Sequence, residues 1–145
     1  MQKITPFLWF DGNLEEVVNF YVSVFPNARV ERVNPRTAAF VIEGQDFLAL
    51  NGGPQFKFNE AVSFFIRCET QDEIDYFWQH LTADGGNESR CGWLKDRFGL
   101  SWQVVPNALS EYLGSPDREK TERVMEAMLK MTKIDIAALQ AASLG

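Results

Sequence analysis

The chain has 145 residues, 46% of them hydrophobic and 23% charged, with 14 basic against 20 acidic side chains. A chain near that length buries roughly 68–70% of its unfolded surface, so a core forms without metal or disulfide staples, and the composition excludes disorder for most of the sequence. The formal charge of −6 argues against a nucleic-acid partner, whose phosphates call for clustered Lys and Arg.

Residues 4–10 (ITPFLWF) are apolar enough for a strand covered on both faces. Asp11-Gly12-Asn13 turns the chain, and Asn13 with Glu16 reads as an N-cap and capping box. Leu14, Val17, Val18, Tyr21, Val24 and Phe25 then fall at helical spacing until Pro26-Asn27 stops the helix. Strand-like runs follow at 28–33, 37–42 and 47–50, broken by Asn34-Pro35 and Glu43-Gly44.

Adding 57 to these numbers gives the pattern again. Residues 61–67 (AVSFFIR) read as a second buried strand, and Thr70 with Glu73 as a second capping box. Ile74, Phe77, Trp78 and Leu81 form the helical stripe, and Gly85-Gly86 supply the stop. Short strand-like runs at 88–90, 91–95 and 100–105 follow, the last two separated by Asp96-Arg97-Phe98-Gly99.

The unit is thus β-α-β-β-β, written twice: an α+β chain with two mostly antiparallel sheets, each carrying its helix on one face. The expected boundaries are 3–52 for the first module, 53–59 for a linker, 60–106 for the second module and 107–145 for a C-terminal helical extension. In the extension, Ser115-Pro116 reads as the start of a helix carrying Val124, Met125, Met128 and Leu129. Asp135 reads as the cap of a last short helix with Ile136 and Leu139. The clustered Met125, Met128 and Met131 read as core or dimer packing, with a partner surface as the alternative.

Residue counts narrow the chemistry. Cys68 and Cys91 form no CxxC, and a single histidine, His80, excludes sites that need two imidazoles. No GxSxG accompanies it. His80 lies off the apolar stripe of its helix and reads as a solvated residue. Cys91 near Lys95 could be an activated thiolate, against the plainer reading of an inert buried thiol. Glu60, Asp46 and Asp96 could act as acid or base only if buried, which strand-end carboxylates seldom are. Trp9, Trp78 and Trp102 read as core. No apolar run reaches the ~18 residues of a membrane span. The first residues lack a secretory layout, so no membrane is expected and the cytoplasm is the expected compartment.

Two βαβββ modules, with FDGNLEEVVNFYVSVFPNARV, FLALNGGPQFKF and CGWLKDRFGLSWQVVP, resemble the vicinal oxygen chelate superfamily. That superfamily includes glyoxalase I, bleomycin-resistance proteins and extradiol dioxygenases. The closer resemblance, over residues 3–142, is to its PhnB-like subgroup, many members of which carry the label demethylubiquinone methyltransferase. The resemblance implies a glyoxalase-like domain whose paired modules form a cleft for a small molecule, and a homodimer. A methyltransferase would call for a glycine-rich strand-to-helix turn, whereas Gly52-Gly53 and Gly85-Gly86 sit in a linker and a helix stop.

Metal-using members carry His or Gln on the first strand and Glu on the last strand of each module. Carried over by local motif, those positions fall at Pro6, Ala49 (Asn51 its nearest polar neighbour), Ser63 and Gln103. Proline and alanine offer no ligand, and a neutral hydroxyl and amide are weak ones. The expectation is therefore a cleft with no metal and no cofactor. By strand alternation Ser63, Phe65 and Arg67 would share one face, and so would Ser101, Gln103 and Val105. Phe47, Ala49 and Asn51 would join them, with Trp93 lining the cleft. The expected ligand-binding residues are Ser63, Gln103, Asn51, Phe65, Arg67 and Trp93, and Arg67 would favour an anionic or enolate group unless it lies in solvent.

Three functions remain on this basis. The first is a metal-independent module that binds a small anionic or aromatic molecule, as bleomycin-resistance proteins do. The second is an enzyme of proton transfer, isomerase- or lyase-like. The third is an interaction protein acting through its C-terminal helices.

Overall fold

A computed structural model describes residues 2–145. It divides into two compact units, one ending at Phe58 and one spanning Asn59–Gly145. The first unit holds β1 (Phe7–Phe10), α1 (Leu14–Val24), β2 (Ala28–Val33), β3 (Thr37–Ile42) and β4 (Gln45–Asn51). The second holds β5 (Phe64–Cys68), α2 (Gln71–Thr82), β6 (Asn87–Glu88), β7 (Trp93–Lys95) and β8 (Ser101–Pro106). It continues with α3 (Asn107–Leu113), α4 (Arg118–Leu129) and α5 (Ile136–Leu144). Among the described residues no helix is long and apolar enough to cross a membrane.

The duplication is present in topology. The sheets run β1-β4-β3-β2 and β5-β8-β7-β6. In each, the first and last strands pair parallel and the others antiparallel, because the helix after the first strand supplies the crossover that a parallel pair requires. Both helices start where the caps placed them: Asn13 accepts from the Glu16 amide at 3.2 Å, and Thr70 from the Glu73 amide at 3.1 Å. The two apolar stripes, from Leu14 to Phe25 and from Ile74 to Leu81, are buried.

In the first unit the core is an aromatic stack. Tyr21 of α1 stacks on Phe40 at 6.0 Å between centroids, and Phe40 on its cross-strand partner Phe47 at 5.3 Å. In the second, Trp102 and Val104 are buried on the α2 side, and Trp78 of α2 hydrogen-bonds Glu88 of β6. That contact puts Glu88 and its partner Leu94 on the same side.

The copies are not in one register throughout. Three residues separate β1 from α1, but only two separate β5 from α2. The helices therefore match at an offset of 57 (14 to 71) while the strands before them match at 58 (10 to 68). A one-residue slip turns every side chain to the other face. Ser63 thus corresponds to Thr5 rather than Pro6. Gln103, whose register partner is Phe65, corresponds to Leu48, the partner of Phe7. The expectation that Phe47, Ala49 and Asn51 line the open face is corrected: Phe47 stacks toward α1, and Ala49 and Asn51, two and four residues on, share its side.

Strand ends also differ from expectation. Ile4 and Phe7 are 86% and 58% exposed, so the first strand is shorter and not covered on both faces. Val62, expected within the second buried strand, precedes β5 and is 64% exposed. Cys91 and Gly92 lie ahead of β7, both at positive φ (58° and 86°), which is why the strand starts only at Trp93.

The C-terminal extension belongs to the second unit. Val105 of β8, Leu109, Val124, Ile134 and Leu139 form one apolar cluster, with Met128 and Met131 packed on it. Met125, by contrast, is 37% exposed and Leu129 58%. The α4 cap is Asp117 rather than Ser115; Ser115 instead accepts from the Asp117 amide. α5 starts at its expected cap, Asp135. The side chain of Gln71 ties this extension to α2, donating to Ile134 O at 3.0 Å and accepting from Ile136 N at 2.8 Å. Lys133 reinforces the junction at 2.7 Å from Asp75, and its hydrogen bond holds that carboxyl below the usual range.

Candidate functional site on the open face of the second sheet

Side chains of β5, β8 and β7 that point away from α2 form one row, Phe65–Gln103–Trp93, in direct register across the three strands. Gln103 and Trp93 are half-buried, and Phe65 is 44% exposed. Just ahead of β5, Ser63 Oγ accepts from Gln103 Nε2 at 2.9 Å. Arg67, one alternation past Phe65, is exposed, with its guanidinium 5.4 Å from the Phe65 ring centroid, in cation–π range. Five of the six expected residues thus share one face of one sheet.

Asn51 is placed elsewhere. It ends β4 in the first unit beside Phe10, and its Oδ1 accepts from the Gly12 amide at 3.2 Å. There it closes the turn into α1, on the helix side of its sheet. It borders an open cavity of about 400 Å³ with Gly12, Asn13 and Asn34.

Val105 was expected on the open face but lies under the C-terminal helices, which cover that end of the row. At the other end, Lys95 of β7 pairs in register with Ser101 of β8, on the same side as Trp93 and Gln103. Lys95 Nζ is 2.6 Å from a Glu60 carboxylate oxygen, and that contact holds the Glu60 carboxyl below its usual range. Glu60 is therefore an exposed ion-pair partner rather than a buried general acid or base. Sequence reasoning reached Ser101 by alternation but named Lys95 only as a neighbour of Cys91, and it could not pair that lysine with Glu60, which sits in irregular chain ahead of β5.

Asp96 departs from expectation. It is 1% exposed and accepts from Phe98 N (2.9 Å), Leu100 N (3.1 Å) and Trp102 Nε1 (2.9 Å). It fixes the β7–β8 turn and locks Trp102, thereby presenting Gln103 on the opposite face. Its role is positional. Of the cysteines, Cys68 is made a poor nucleophile by its burial. Burial pushes the Cys68 thiol up to about 12, the Glu73 charge adding to it. Cys91 is half-buried with its backbone N–H donated to Met131 O. His80 is exposed, its Nδ1 2.8 Å from Tyr76 O.

The family's metal positions do not carry a metal-binding donor set here. Thr5 and Leu48, at the corrected positions of the first unit, bring at most a neutral hydroxyl. Ser63 and Gln103 are neutral and spend hydrogen bonds on one another. Among the described residues, no three His, Cys, Asp or Glu side chains come together to hold an ion.

Residues 2–105 match the sequence profile of the family described as 3-demethylubiquinone-9 3-methyltransferase. The chain belongs to that family. It is similar to a solved PhnB protein from Bacillus cereus, described as a 3-demethylubiquinone-9 3-methyltransferase. The two share 32% identity over 72% of this chain and 99% of the other, with a TM-score of 0.64. The fold, but not the sequence, is shared with a glyoxalase-related enzyme from Fulvimarina pelagi (16% identity, 75% and 91% covered, TM-score 0.56). The same holds for a fosfomycin resistance protein from Listeria monocytogenes solved with Mn(II) and sulfate (14% identity, 78% and 96% covered, TM-score 0.58). No curated protein matches the chain. The fold is therefore the glyoxalase-like, vicinal oxygen chelate fold expected from the sequence.

Proposed function

We propose that this protein binds a small anionic or aromatic molecule, without a metal, on the second sheet's open face bearing Ser63, Phe65, Trp93 and Gln103. The observation that carries this is the Gln103–Ser63 hydrogen bond, with Gln103 set between Phe65 and Trp93, where metal-using relatives place metal ligands. A neutral amide and hydroxyl between rings orient a ligand by hydrogen bonding and stacking, the usual make-up of a small-molecule site. Arg67, beside Phe65, adds a cation at the rim.

The methyltransferase activity in the family's description is not adopted. The strand-to-helix turns are Asp11-Gly12-Asn13 and Glu69-Thr70, neither of them the glycine-rich cradle that such a cofactor needs. The molecule is proposed to act as a homodimer, which light scattering of the purified chain checks.

The test is metal analysis of dialysed protein together with a thermal-shift screen of carboxylates, quinones and aromatic antibiotics. Expected are no retained stoichiometric metal and a shift that Gln103→Ala abolishes. Retention of one zinc, iron or nickel per chain, or shifts that Gln103→Ala leaves intact, would overturn the proposal.

A further inference from the structure

Next to the Gln103–Ser63 pair lies a cavity of about 320 Å³ bordered by Glu60, Glu88, Trp93, Lys95 and Ser101, the Glu88 carboxylate being taken up by Trp78 Nε1. Two observations there are unexplained by folding. Ser101 is fully buried, yet its Oγ has no hydrogen-bond partner. Buried polar groups in folded proteins are as a rule hydrogen-bonded, so an unpaired hydroxyl beside a cavity is open to a partner that the chain does not supply. Directly across the strand pair, Lys95 offers an ammonium on the same face. That cation is met by the Glu60 carboxylate at 2.6 Å, from a side chain 63% exposed in chain without regular structure.

From these we infer that the cavity is a carboxylate seat, in which the carboxylate of a small aromatic acid takes one oxygen to Lys95 Nζ and one to Ser101 Oγ, its ring against Trp93. In the free protein Glu60 stands in for it. The inference rests on the proposed ligand-binding face and names the ligand class and its anchor. The chemistry favours a carboxylate over a bulkier anion because the group already seated on Lys95 is one. Glu60 is a weak competitor, because solvent screens an ion pair this exposed. A ligand carboxylate gains Ser101 in addition, a hydrogen bond that no contact in the free protein supplies. Asn87 and Ser89, on the edge of the cavity, offer further neutral polar groups to substituents of the ring.

Benzoate and its uncharged isostere benzamide, titrated into the full chain and followed by calorimetry and Trp fluorescence, test this. Benzoate is expected to bind about tenfold tighter than benzamide, the equivalent of 1.4 kcal/mol. Lys95→Met should bring benzoate down to the benzamide affinity and leave benzamide unchanged. Ser101→Ala should weaken benzoate by about fivefold without lowering the unfolding temperature, since it removes an unpaired buried hydroxyl. Glu60→Gln should strengthen benzoate alone, because the competing carboxylate is gone. Equal binding of the two probes, or weaker benzoate binding in Glu60→Gln, overturns the carboxylate seat. If equal binding is lost in Gln103→Ala, the seat falls while the proposed function stands. If neither probe nor any screened ligand binds, both fall.

Discussion

Asp96→Ala is the perturbation that best separates positioning from binding. The carboxylate collects three donors, of which Leu100 N and Trp102 Nε1 lie in the buried interior. Each buried donor left unpaired costs about 1–3 kcal/mol, so the pair predicts a loss of about 2–6 kcal/mol. Against a total stability of about 5–15 kcal/mol this is a large share. The turn itself keeps backbone closure through Asp96 N to Leu100 O and Gly99 N to Asp96 O, both 2.9 Å, so the chain should fold at low temperature. Urea titration by circular dichroism gives the magnitude. A Trp102→Phe background should recover part of it, because an indole N–H that is absent cannot be left unpaired; the expected coupling is about 0.5–3 kcal/mol. A loss below about 1 kcal/mol, or strict additivity with Trp102→Phe, would refute the assignment of Asp96 as the clamp on β8.

Other expected outcomes follow from single contacts. Gly92→Ala should cost more than Gly99→Ala in the same urea assay. Both residues sit at positive φ, but a Cβ at 92 would lie 2.8 Å from Val104 O, whereas at 99 it meets open space. Gln71→Ala should lower stability by about 1–3 kcal/mol and raise hydrogen exchange at Ile136, while β-sheet amides keep their protection. Cys68 carries a thiol raised to about 12 by burial, so the folded state holds its proton more tightly than the unfolded one. Stability should therefore fall as pH climbs from the ordinary thiol range toward 12, and Cys68→Ala should flatten that fall in urea midpoints taken at increasing pH. A parent protein whose midpoint does not change over that range would contradict the burial of the thiol.

The repeat was legible because each copy writes its own punctuation: an Asn or Thr cap, a Glu three residues on, an apolar stripe and a stop. Strand parity in the second copy was legible as well, since Ser101, Gln103, Trp102 and Val104 alternate cleanly between polar and apolar. In the first copy Phe47, Leu48, Ala49 and Leu50 are all apolar, and such a run gives no parity to read. Its face was therefore taken from the family's ligand position at Ala49, one residue from Leu48, the register equivalent of Gln103, and one residue is enough to reverse a face. The burial of Asp96 was not legible for a different reason: its donors come from the turn and from Trp102, and composition does not reveal a carboxylate folded back on its own turn.

By itself the sequence determined local geometry and class: helix starts, helix faces and the doubled βαβββ order. These follow from neighbours within a few residues, where caps, turns and side-chain period act directly. The tertiary structure decided which residues meet. It set the strand register, the burial of Ser101 opposite Lys95, the reach of Glu60 to that lysine and the covering of Val105 by the C-terminal helices. Such pairings join residues far apart in the chain, and a single added residue in a turn is enough to reverse which side chains face the site.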